Sequence, residues 1–270
     1  MTGVLPAADA PPRVMAVLNA TPDSFSGDGV LGAALVEQAR RAVAEGADIL
    51  DLGAESTRPG ATAVPLEEEL GRLSAVLPEV LPLGVPVSID TQKPRVADTA
   101  LSLGAVLLND VSGLADPELA SVAAHHGAYL VLTHNGWTTG RGRDVLSTLQ
   151  ALVDQALKAG VQSARLIVDP GLGFGKAPAE SLAVLGDLAR VVESLAPLPV
   201  LVGASRKGFI GQVLDLPADE RLEGSLACAA IATFLGASIV RVHDVRPSVR
   251  ATRMAWAVRG APRLSPTTQR

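Results

Sequence analysis

The stretch LGAALVEQARRAVAEGADILDLGA, residues 31–54, holds one full repeat of the chain's organisation. Leu31–Glu45 is dominated by Ala, Leu, Arg and Glu, which lose little side-chain freedom in a helix. Gly46-Ala47 follows, and glycine there suits the left-handed residue that ends a helix and releases the chain. Ile49–Ala54 is a short apolar run of the kind that parallel strands show when helices cover them.

The pattern repeats through the whole chain. Further strands are expected at Val14–Asn19, Pro86–Thr91, Ala105–Val111, Tyr129–His134, Arg165–Pro170, Val200–Ser205 and Ser238–Asp244. Helices are expected at Leu66–Leu81, Pro94–Leu103, Asp116–His126, Asp144–Lys158, Glu180–Leu195, Glu220–Leu235 and Ser248–Val258. Gly84-Val85, Gly104-Ala105, Gly127-Ala128 and Gly236-Ala237 repeat the helix-ending signal before the next strand. Eight strand–helix units predict an α/β chain folded as a single (β/α)8 TIM barrel, with a doubly wound open sheet as the rival. The barrel domain is expected over residues 14–260. Residues 1–13, with Pro6, Pro11 and Pro12, read as a flexible or extended leader, and 261–270 as a frayed tail.

Composition narrows the function. The 270 residues carry 23 Lys+Arg against 28 Asp+Glu, a formal charge of −5, with 48% hydrophobic and 19% charged residues. That balance belongs to a globular protein with no dedicated nucleic-acid or anionic-membrane surface. The apolar run Leu226–Val240 is too short and too interrupted to span a bilayer. Cys228 is the only cysteine, so neither a disulfide framework nor a cysteine-rich zinc site is available. With no targeting signal in evidence, the cytoplasm is the expected compartment.

Polar residues gather where the apolar runs stop: Asn19, Glu55-Ser56-Thr57-Arg58, Asp90, Asn109-Asp110, His134-Asn135, Asp169, Ser205-Arg206-Lys207, Arg241 and His243. Any one of them could be a turn residue, but so many strand ends do not all need caps. In a barrel they converge on the C-terminal face. Arg241 and His243 are two apart and share a strand face with Ile239. With Lys207 and Arg58 they make an anion site suited to phosphate or pyrophosphate. Asp90, Asn109 and Asp169 with Lys207 suit a flat heterocycle rich in N–H donors, a 2-amino-4-oxo pterin or equally a guanine.

Gly171–Ala177 lacks both the spacing and the Ser/Thr of a phosphate loop, and it is not a dinucleotide fingerprint. Gly203–Lys207 ends in Lys where a nucleophile elbow needs Gly.

Several blocks, in order, resemble the dihydropteroate synthase family: Leu18–Ser26 (LNATPDSFS), Asp51–Gly60 (DLGAESTRPG), Ser88–Thr91, Asn109–Gly113 (NDVSG), Asp169–Lys176 (DPGLGFGK), Gly203–Lys207 (GASRK) and Arg241–Val245 (RVHDV). The resemblance implies a (β/α)8 barrel of folate biosynthesis. Such an enzyme is a transferase that condenses 6-hydroxymethyl-7,8-dihydropterin pyrophosphate with p-aminobenzoate, with Mg²⁺. It further implies that Asp90, Asn109, Asp169 and Lys207 hold the pterin. Asn19, Arg241 and His243 would hold the pyrophosphate, with Asn19 also meeting Mg²⁺. Thr57 and Arg58 would contact the phosphates or the closed form of the second loop, and Phe25, Pro59 and Phe174 would flank the aminobenzoate, where sulfonamides compete. Asp90, Asp169, Lys207, Arg241 and His243 are the implied catalytic set. Family members are commonly homodimers, and Leu222–Phe234 with Ser248–Val258 is the expected surface.

The chain departs from the family where Gly27 precedes Asp28, where Thr133 stands in place of a Met, and where Gly208 replaces a Ser that helps hold the acceptor carboxylate. A related methyltetrahydrofolate–corrinoid methyltransferase would need neither Arg241 and His243 nor the Ser-Arg-Lys block. A pterin-binding paralogue without turnover is the other rival.

Overall fold

The computed structural model describes residues 3–7, 10–19, 30–55, 63–140 and 144–262. The chain alternates β1 (Arg13–Asn19), α1 (Val30–Ala44), β2 (Ile49–Gly53), α2 (Leu66–Val80), β3 (Val87–Asp90), α3 (Pro94–Leu103), β4 (Leu107–Asp110), α4 (Glu118–His125), β5 (Tyr129–Thr133) and α5 (Val145–Lys158). It continues with β6 (Leu166–Asp169), α6 (Pro178–Gly186), α7 (Leu188–Ser194), β7 (Leu201–Val202), α8 (Gly208–Leu214), α9 (Leu222–Leu235), β8 (Ile239–Val242) and α10 (Val245–Gly260).

All strand pairs are parallel, in the order β6-β5-β4-β3-β2-β1-β8-β7. The ring closes through one bridge, Val168 to Val200, where the Val168 N–H donates to the Pro199 carbonyl at 3.0 Å. Pro197 and Pro199 lack the N–H that a longer β6–β7 ladder needs. The barrel prevails over the open sheet.

The period of two along each strand sorts its side chains. Val14, Ala16, Leu18, Leu50, Leu52, Val87, Ile89, Leu108, Leu130, Leu132, Val168 and Val240 pack outward beneath the helices. Met15, Ile49, Leu107, Val131, Ile167, Leu201 and Ile239 point inward and form a separate, fully buried floor. Burying each contributes about 1.5–3 kcal/mol.

Several expectations are adjusted. The leader does more than trail: Val4 is buried in the floor cluster with Leu5 against it, because the apolar floor would otherwise face water at the barrel base. The helix expected over 180–195 is two, α6 and α7. Gly186 weakens it, and Asp187 accepts from Arg190 Nε at 2.6 Å as the second helix begins. The last helix starts at Val245, earlier than Ser248, since Pro247 lies in its first turn, where a missing N–H is harmless. The short α8 carries Gly208 and Gly211 and has too few turns to show a period. The five glycines expected to end helices all hold positive φ, Gly104 the largest at 121°.

Candidate active site

The same period of two builds the site. Two residues beyond the floor, Ile49 is followed by Asp51, Leu107 by Asn109, Ile167 by Asp169 and Ile239 by Arg241. Asp90 ends β3 beside them, level with Asn109 on β4 and Gly53 on β2. An apolar floor therefore carries a charged second layer at the C-terminal mouth.

Arg241 stands at its centre. Its Nε donates to Asp51 Oδ2 at 2.6 Å and its Nη2 to Asp90 Oδ2 at 2.6 Å. Asn109 Nδ2 donates to the same Asp51 oxygen at 3.0 Å. Asp51 is fully buried, and Asp90 and Asn109 are nearly so. Two carboxylates thus share one guanidinium, and Asp51 takes the Asn109 amide as well. Burial pushes Asp90 up to about 7; Arg241 pulls the other way, and Asp51, Asp110 and Glu69 add to the rise. Asp51 Oδ1 and Asp90 Oδ1 are buried without a hydrogen-bond partner among the described residues, two acceptors left for a ligand's N–H groups.

The β6 side supplies the opposite wall. Asp169 accepts from the Gly171 N–H at 2.7 Å, and burial raises its pKa against the pull of Lys207. Lys207 donates to the Leu172 carbonyl, and its Nζ sits 4.0 Å from the centre of the Phe174 ring. Burial lowers its pKa to about 8, with Asp169 opposing. Trp137 meets Phe174 edge-on, centroids 6.1 Å apart.

Lys176 braces this wall. Its Nζ lies 2.6 Å from His134 Nδ1 and donates to the Gly171 carbonyl at 2.9 Å; burial lowers it too to about 8. The glycines of 171–175 serve this packing. At φ 68°, a Cβ on Gly171 would lie 1.9 Å from the His134 carbonyl oxygen; on Gly175 it would lie 2.5 Å from the Trp137 nitrogen.

Of the remaining expected residues, Asn19 is exposed at the end of β1. His243 lies just beyond β8, with Nδ1 3.0 Å from Ser205 Oγ. Phe25, Thr57, Arg58 and Pro59 lie outside the described residues. Beside the last three, the two flanks are tied: the Val64 N–H donates to Glu55 Oε1 at 3.1 Å, and Lys93 Nζ bridges Glu55 and buried Glu69 at 2.5 Å each. Asp110 serves its own turn, accepting from the Ser112 and Leu114 N–H groups at 2.8 and 2.6 Å.

Sequence reasoning gave no role to Asp51, Ser205 or Lys176. Asp51 was within reach, since it shares its strand face with Ile49. The other two depend on neighbours distant in sequence.

The model of the pterin binding enzyme family matches residues 15–243. The dihydropteroate synthase of Bacillus subtilis is 45% identical over 253 residues, covering 91% of this chain and 88% of the relative. This chain belongs to the dihydropteroate synthase family. Among solved dihydropteroate synthases, the Clostridium difficile protein, determined in the presence of pteroic acid, superposes with a TM-score of 0.87 at 38% identity, covering 93% of this chain and 97% of that one. The Xanthomonas albilineans protein, determined with 4-aminobenzoic acid, does so with a TM-score of 0.86 at 40% identity, covering 94% and 95%. The floor and charged mouth described above are this chain's version of the dihydropteroate synthase barrel.

Proposed function

We propose that this chain condenses 6-hydroxymethyl-7,8-dihydropterin pyrophosphate with p-aminobenzoate, giving 7,8-dihydropteroate and pyrophosphate. The observation that carries the reading is the set Asp51, Asp90, Asn109, Asp169, Lys207 and Arg241 in one barrel mouth, in a chain so similar to dihydropteroate synthases. The unpartnered Asp90 oxygen and Asp169 accept ring N–H and exocyclic amine hydrogens, and Lys207 donates to the ring carbonyl. Arg241 Nη1, which neither carboxylate takes, turns to the diphosphate with His243.

The C–O bond breaks first, and its electron pair leaves with the pyrophosphate, whose charge Arg241 and His243 stabilise. The carboxylates around the ring stabilise the cation that remains. The arylamine nitrogen then bonds the methylene carbon and loses a proton, without a covalent enzyme intermediate. Phe25, Thr57, Arg58 and Pro59 complete the acceptor and phosphate contacts in this reading.

Mg²⁺ fits the donors present. Asn19 offers a hard amide oxygen at the mouth, and no cluster of three His, Cys, Asp or Glu occurs among the described residues. A Mg²⁺ held by Asn19 would take its other ligands from diphosphate and water, as this ion commonly does. When bound it neutralises departing charge.

We place the protein in the cytoplasm as a homodimer. Ile231 and Phe234 on α9 with Met254 and Val258 on α10 are exposed apolar residues on neighbouring helices. No helix among the described residues is long and apolar enough to cross a membrane. Sulfonamides would compete with p-aminobenzoate.

Pterin-dependent release of pyrophosphate tests the assignment. Asp169→Asn and His243→Ala should each slow it at least about tenfold, and wild-type rates in both would remove it.

A further inference from the structure

The structure assigns the Arg206–Asp244 ion pair a positioning role: it fixes the spacing between Lys207 at the pterin end of the mouth and His243 at the diphosphate end. This rests on Lys207 meeting the pterin and His243 the diphosphate. Ala204 to Lys207 form a tight turn after β7, in which the Lys207 N–H donates to the Ala204 carbonyl at 3.2 Å. Arg206, the third residue of the turn, has φ 59°. Such a position ordinarily takes Gly or Asn, because a Cβ crowds the left-handed backbone. An arginine kept there against that cost is held by its contacts. Its Nε and Nη2 donate to the two Asp244 oxygens at 3.1 and 2.6 Å, and its N–H donates to Ser225 Oγ at 2.9 Å. Its carbonyl accepts from Arg221 Nη1 at 3.1 Å.

Asp244 makes the matching concession. It stands at the start of α10, where an Asp side chain ordinarily accepts from the first N–H groups of the helix. It makes no such cap, and both its oxygens go to Arg206. Two residues thus forgo their local preference for one forked contact across 38 positions.

The pair sits between two working residues. Lys207 follows Arg206, and its Nζ reaches the Leu172 carbonyl and the Phe174 ring. His243 precedes Asp244, and its backbone N–H donates to Ser205 Oγ in the same turn at 3.2 Å. The β7–β8 ladder ends at Val202 and Val240, before either residue, so strand pairing does not carry the spacing up to them. The ion pair does. A ligand held at both ends gains because binding at one end presents the other, and a wrong spacing penalises only that ligand.

Arg206→Gly separates this role from a structural one. Glycine adopts φ 59° freely, and the ion pair given up is partly exposed, so the thermal midpoint should hold within about 2 °C. Calorimetry then compares 6-hydroxymethylpterin, inorganic pyrophosphate and 6-hydroxymethyl-7,8-dihydropterin pyrophosphate, with Mg²⁺ present throughout. Affinity for the first two should stay within about twofold of wild type. Affinity for the third should fall about tenfold, the scale of one misplaced hydrogen bond. Asp244→Asn, which keeps the shape and half the contact, should lose part of that, and the double variant should lose no more than Arg206→Gly alone. If Arg206→Gly does not fold, Asp244→Asn carries the same comparison of ligands. Undiminished affinity for the two-ended ligand, additive losses in the double variant, or equal losses for all three ligands overturn the inference. If the wild-type protein binds the two-ended ligand no more tightly than the pterin alone, the diphosphate end itself is misassigned, and this inference falls with it.

Discussion

Replacing Asp51 by Asn or by Ala separates charge from geometry beneath Arg241. The carboxylate is fully buried, and a single oxygen takes both the Arg241 Nε–H at 2.6 Å and the Asn109 N–H at 3.0 Å. Asn keeps an oxygen for both donors, so the Asn109 bond becomes a neutral one and the Arg241 bond loses its anionic acceptor, at roughly 1 kcal/mol each. The lost repulsion between Asp51 and Asp90 offsets part of that. Asp51→Asn should therefore cost about 1–2 kcal/mol. Ala removes the acceptor altogether and leaves the guanidinium half-paired in the interior, a loss of about 3–5 kcal/mol. At about 2–4 °C per kcal/mol for a large domain, the midpoints should fall by a few degrees and by about 10 °C. Denaturant unfolding and thermal scans read both. The charge has a second consequence, because Asp51 helps hold Asp90 high. In Asp51→Asn the acidic limb of the pH–rate profile should move down from about 7. Equal stability in Asn and Ala variants, or an acidic limb that stays in place, would refute the shared-oxygen account.

Two further outcomes are expected. Below about 7 Asp90 is protonated and loses its acceptor, and above about 8 Lys207 loses the proton it donates, with Lys176 titrating alongside. kcat/KM for the pterin substrate should be bell-shaped with its maximum between those limits, and Lys207→Arg should carry the basic limb upward; a flat profile from 6 to 9 would contradict the burial of these groups. A Cβ on Gly208 meets nothing within 4 Å, so Gly208→Ser should fold with an unchanged midpoint. It should lower the KM for p-aminobenzoate about threefold to tenfold, one added hydrogen bond to the acceptor carboxylate, and steady-state kinetics would show it.

The strand faces could be read from the sequence because alternation is local. Once Ile239 points inward, Arg241 must follow, and the same argument places Asp169 two residues after Ile167. It applies equally to Asp51, although a lone acid inside an apolar run carries no partner with it. Lys176 looked like part of a failed phosphate loop; its contact with His134 spans 42 positions and appears only once the turns after β5 and β6 pack together. The split at Asp187 and the short α8 are not legible in the sequence because α7 and α8 have only seven residues each, too few for a helical period to emerge.

Local chemistry alone determined the eight-unit barrel, its apolar floor and the kinds of groups at its mouth, since periodicity, helix-ending glycines and strand-end polarity all act over a few residues. Tertiary structure decided who pairs with whom. Arg241 reaches Asp51 across 190 positions and Asp90 across 151, and Ser205 meets His243 across 38. Those partners, and with them the raised pKa of Asp90, follow from strand register and ring closure. Both exist only when all eight strands are in place.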